Sequence, residues 1–62
     1  MLEAYAGGNK AFLAWLQKVD AILASMIGIS LLDLPDQHWF DWFEGGLTPA
    51  SAAKRVRKYE GF

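Results

Sequence analysis

Three groups of side chains in this chain could do chemistry: a single histidine, His38; an acidic set, Asp33, Asp36, Asp41 and Glu44; and a basic run from Lys54 to Lys58. Nucleophilic catalysis needs a nucleophile, a base and an orienting group in mutual reach. His38 is the only imidazole and falls on the polar side of a short helical segment. Ser25, Ser30, Ser51 and Thr48 have capping or surface roles. No catalytic residue is assigned, no cofactor is implied, and the expectation is a protein that is not an enzyme. Three short helices are also expected to leave no room for a substrate cleft of about 300 Å³ or more.

The acids fit a metal poorly. Calcium loops place several oxygens around a flexible turn with a glycine at the bend. Here Pro35 stiffens the segment, and Asp41 and Glu44 lie on the helix beyond it. With no cysteine, disulfides and cysteine-based zinc sites are excluded. Helix capping and solubility explain the carboxylates, so no metal ligands are assigned.

The elements that would position these groups are helices. Asn9 is an N-cap for the first, since its side-chain oxygen can accept from free first-turn amides. Phe12, Trp15, Leu16, Val19, Ile22, Leu23 and Met26 recur at three- and four-residue steps and share one face. Gly28 suits the left-handed position that ends such a helix. In "DLPDQHWFDWFEGG", Pro35 opens a second helix, Asp33 and Asp36 favour the positive end of its dipole, and the glycines close it. Trp39, Phe40, Trp42 and Phe43 form its inner face, opposite Gln37, His38, Asp41 and Glu44. Thr48 and Pro49 open a third helix whose inner face is Ala52, Ala53, Val56 and Tyr59, its small alanines facing the rings of the second. The expected fold is all-α: a single domain over 1–62, a small three-helix bundle with one long N-terminal helix at 10–27. A helix-turn-helix pair follows at 35–44 and 49–60. The role of residues 1–8 is open.

Sixty-two residues bury only about 60% of their unfolded surface, so aromatic loading or self-association must supply stability. The net charge is −1, but its distribution is uneven: Val19 to Ala53 holds five acids and no Lys or Arg, whereas Lys54 to Lys58 holds four bases and no acid. The run "AILASMIGISLL" is too short for the roughly 20 apolar residues that span a bilayer. The start "MLEAYAGGNK" lacks the basic and apolar regions of a signal peptide, so no membrane association and a cytoplasmic location are expected.

"FLAWLQKVD", "GISLLDLPD" and "DWFEGGLTPASAA" together resemble a family of short phage and bacterial proteins with no established activity. The pattern falls on Trp15, Val19, Asp20, Gly28, Ser30, Asp33, Leu34, Pro35, Asp36, Asp41, Gly46, Pro49, Ala52 and Ala53. The resemblance covers about three quarters of the chain and implies a compact helical fold and a phage origin; it supplies no catalytic residues. The chain departs from the family at Gly45, where relatives more often carry an acid, and at Trp39 and Phe40, whose bulk suggests an apolar surface of its own.

Two binding functions remain. The nine aromatic residues exceed what so small a core encloses, and surplus apolar surface marks interaction sites. The back of the first helix, with Ala11, Ala14, Ala21, Ala24 and Ser25, carries few charges and could bring two copies together as a homodimer. The leading expectation is a small regulatory or accessory protein, phage-encoded, that docks on a host or viral protein. Trp15, Trp39 and Trp42 are its anchors, and Asp36, Asp41 and Glu44 orient the encounter. The alternative is a nucleic-acid-binding helix-turn-helix using Lys54, Arg55, Arg57 and Lys58. Against it, the N-terminal part of the recognition helix is Pro49, Ala50 and Ser51, with the charges a turn or more later.

Overall fold

The first helix forms where its cap and its apolar stripe agree. In the computed structural model, which describes residues 7–34 and 37–61, α1 spans Lys10–Ile27. The Asn9 side chain accepts from the Phe12 amide at 3.0 Å, and Gly28 ends the helix at φ 72°. A short 3-10 turn, Leu31–Asp33, leads toward α2 (Trp39–Glu44), and α3 covers Pro49–Glu60. No strand occurs among the described residues, and the architecture is a small all-α three-helix bundle.

Asp20 fastens the turn after α1. It is half-buried, and its Oδ1 accepts from the Ser30 hydroxyl at 2.9 Å and the Leu31 amide at 2.8 Å. Leu31 thereby enters the core, where it is 1% exposed. Asp20→Ala would orphan the Leu31 amide and should lower stability by about 1–3 kcal/mol. Ser30→Ala, which keeps that amide bond, should cost less; urea denaturation followed by circular dichroism measures both.

The second helix is shorter than its sequence suggests. Pro35 and Asp36, expected to open it, lie outside the described residues, and Gln37 and His38 are not helical. His38 sits at the N-cap with ψ 52° and makes no side-chain cap bond. The Gln37 amide instead reaches the end of α3, donating to Glu60 Oε2 at 2.9 Å, a tertiary bond that competes with local helix propensity. Leu34 is extended, as a residue before proline should be, and Asp33 belongs to the 3-10 turn rather than to the start of α2.

A Schellman motif closes α2. The Leu47 amide donates to Trp42 O at 3.0 Å and the Gly46 amide to Phe43 O at 3.2 Å, with Gly46 left-handed at φ 84°. Gly46→Ala should cost about 1–2 kcal/mol, because a side chain disfavours that backbone region; thermal unfolding checks it. Gly45, by contrast, has φ −74° and needs no special freedom, although an added Cβ would meet Asp41 O at 3.1 Å. The next helix starts as its sequence dictates, with Thr48 Oγ1 accepting from the Ser51 amide and Pro49 in the first turn.

The core is Phe12, Trp15, Leu16, Val19 and Leu23 of α1, Leu31, Leu34 and Trp39 between, and Ala52, Ala53 and Val56 of α3. The most extensive packing is α1 against α3, with α2 set mainly on α1. The expected pairing of α2 rings with α3 alanines is therefore not the principal contact. The alanines are fully buried, and α1 is the main partner of their helix. Phe43 packs instead on Phe12 and Trp15 of α1, at 5.1 and 5.9 Å between ring centres. Met26 and Tyr59, both expected inside, are 37% and 64% exposed. Each lies in the last turn of its helix, beyond the final buried residues Leu23 and Val56.

Candidate functional site on helices α2 and α3

The aromatic residues of α2 form a ladder from the core to the surface. Trp39 is 3% exposed, Trp42 stands edge-on to it at 5.4 Å, and Tyr59 of α3 lies 6.4 Å beyond Trp42. Arg55 places its guanidinium carbon 5.7 Å from the centre of the Trp42 ring, a cation–π arrangement that holds a long side chain on a rigid base. The Schellman turn fixes this ladder, because the Trp42 carbonyl accepts from the Leu47 amide and the Leu47 carbonyl accepts from Trp15 Nε1 at 2.8 Å.

Beside the ladder runs an open depression of about 470 Å³ lined by Ser51, Lys54, Arg55, Lys58 and Tyr59. Its volume exceeds what three short helices were expected to offer, and the reason is its form: it is a surface groove along one helix, not a cleft between elements. The lining residues recur at steps of three and four, so they share one flank of α3. Arg57 falls on the opposite flank and does not line it. Among the described residues, none of Lys54, Arg55 and Lys58 forms an ion pair, although the chain holds seven acids.

The expected partner-binding residues divide sharply. Trp15 and Trp39 are 8% and 3% exposed and serve the core, so neither is a surface anchor. Trp42 is half-buried, packed against the core, and Asp41 and Glu44 are exposed on the same helix. Asp36 lies outside the described residues. The bulk at positions 39 and 40 also splits: Trp39 is interior, while Phe40 is 46% exposed and meets Phe12 edge-on at 5.2 Å. The back of α1, with Ala11, Ala14, Ala21, Ala24 and Ser25, is exposed.

His38 Nδ1 lies 3.7 Å from Asp41 Oδ2, with both side chains about four-fifths exposed, an arrangement that contributes little. The Ser51 hydroxyl accepts from Thr48 Oγ1 at 3.0 Å as part of the α3 cap. Among the described residues no group of three or more His, Asp or Glu side chains gathers as a metal site, and no helix is long and apolar enough to cross a membrane.

No family model, curated protein or solved structure matches this chain. Function must therefore be read from the surface itself. The sequence placed Tyr59 on the inner face, whereas it is exposed and lines the groove. The signal was present in the recurrence of residues 51, 54, 55, 58 and 59 along one flank, but the inward assignment of Tyr59 obscured it.

Proposed function

We propose that this chain is a small non-catalytic protein-binding module that docks through the surface shared by α2 and α3. The observation that carries the reading is the Trp42 ring, half-buried and held against Arg55 and Tyr59. Tryptophan, tyrosine and arginine are the residues that most often dominate binding energy, and they do so when rigidly supported. The anchors are Trp42, Tyr59 and Arg55, with Asp41 and Glu44 on one side of the surface and the basic groove on the other. The motif resemblance adds the proposal of a phage-encoded accessory protein whose partner is a host or viral protein in the cytoplasm.

Nucleic-acid binding is the second reading, favoured by the three cations that line one groove, none of them in an ion pair among the described residues. Retention of a protein partner on immobilised chain, lost in Trp42→Ala with no shift of DNA or RNA in a gel, supports the first reading. A gel shift near physiological salt that weakens steeply as salt rises, and that Lys54→Ala with Lys58→Ala abolishes, replaces it with the second.

A further inference from the structure

We infer that the groove on α3 holds an acidic segment of the partner protein, its carboxylates on Lys54, Arg55 and Lys58 and an apolar side chain on the exposed ring of Tyr59. This rests on the protein-binding reading and names the partner's chemistry. Three features lead to it. First, Lys54, Arg55 and Lys58 form no ion pair among the described residues. The α3 dipole accounts for basic residues in the last turn, Arg57 and Lys58, but Lys54 and Arg55 lie before it. Second, Arg55 sits over the Trp42 ring, its guanidinium carbon 5.7 Å from the ring centre, a contact that limits the side-chain freedom to be lost when its planar edge meets a carboxylate.

Third, the dimensions suit a short anionic segment rather than a polyanion. Lys54 and Lys58 are one turn apart, about 6 Å along the axis, and Ser51 to Tyr59 spans about 12 Å at 1.5 Å per residue. That length accommodates two or three carboxylates spaced one helical turn apart, with a ring at one end. A nucleic-acid backbone needs a longer basic track, and here it is short: Arg57 is on the far flank of α3 and does not line the groove. An amphipathic acidic peptide of about two turns meets the groove's charges within that length.

The test titrates the full chain with a labelled twelve-residue peptide that carries glutamates at four-residue intervals and one phenylalanine, read by fluorescence anisotropy. A peptide with glutamine in place of every glutamate and a twelve-nucleotide oligo-dT serve as comparisons. The glutamate peptide should bind, and its affinity should fall about tenfold or more with the glutamine peptide, with the Lys54→Ala/Lys58→Ala pair and with Tyr59→Ala. Lys54 and Lys58 are exposed, and alanine favours helix, so unchanged circular dichroism shows that the pair still folds.

Equal binding of the glutamine peptide, no binding up to millimolar concentration, or tighter binding of oligo-dT each overturns the assignment. A photo-crosslinker at position 59 keeps the two levels distinguishable. Protein adducts there with a failed peptide titration remove the acidic segment and leave the protein-binding reading; no adducts and a failed titration remove both.

Discussion

Trp15→Ala should lower folding stability by about 3–5 kcal/mol, the range for removing a large aromatic side chain from a core. A domain of this length holds only about 3–9 kcal/mol in total, so the loss removes at least about a third of its stability. The effect is large because Trp15 does two things at once. Its ring is buried among Phe12 and Phe43, and its Nε1 donates to Leu47 O, thirty-two residues away, across the turn that ends α2. Trp15→Phe separates the two, keeping a ring while removing the donor, and should cost about 1–3 kcal/mol. Urea titrations of both variants followed at 222 nm read the difference. Equal losses would mean that the hydrogen bond, and not the packing of the indole, carries the contribution of this position.

Trp42→Ala should act in the opposite proportion. Partner affinity is expected to fall at least about 30-fold, the effect of losing a binding anchor worth 2 kcal/mol. Stability should fall by less than in Trp15→Ala, because Trp42 is only half-buried and its neighbours Arg55 and Tyr59 are exposed. The ring is also the base on which Arg55 lies, so its loss frees the guanidinium to move. Affinity measured by calorimetry against the captured partner, set beside a melting curve of the same variant, gives both quantities. A variant that unfolds as readily as Trp15→Ala would show that Trp42 is chiefly a core residue.

Most of the architecture was legible because its signals are local. Asn9, Gly28, Thr48 and Pro49 each mark a helix end through their own backbone chemistry, and each does so in the structure. The stripe from Phe12 to Leu23 needed only helical periodicity. Elements set by distant contacts were not legible. The start of α2 is displaced to Trp39, with Gln37 bound to Glu60, a partner twenty-three positions away. Asp20 reads as a surface acid until the turn brings Ser30 and the Leu31 amide to it.

The candidate site was half visible for the same reason. Trp42 and the basic residues stood out by type. A helical wheel, however, places Tyr59 with Ala52 and Val56, and cannot register that the core stops one turn short of it. Trp15 and Trp39 were chosen as anchors on identity alone. Periodicity had already placed Trp15 inward, whereas which tryptophan of α2 is interior depends on how α2 lies across α1.

The central claim is that the partner meets the α2–α3 surface and not the bare back of α1. Site-specific incorporation of p-benzoylphenylalanine at position 59 and, separately, at position 21 tests it directly, since Ala21 sits exposed on the unpartnered face of α1. After irradiation in a host lysate, the account predicts a discrete protein adduct from position 59, lost in Trp42→Ala, and none from position 21. An adduct formed only from position 21, whether to another protein or to a second copy of this chain, would contradict it.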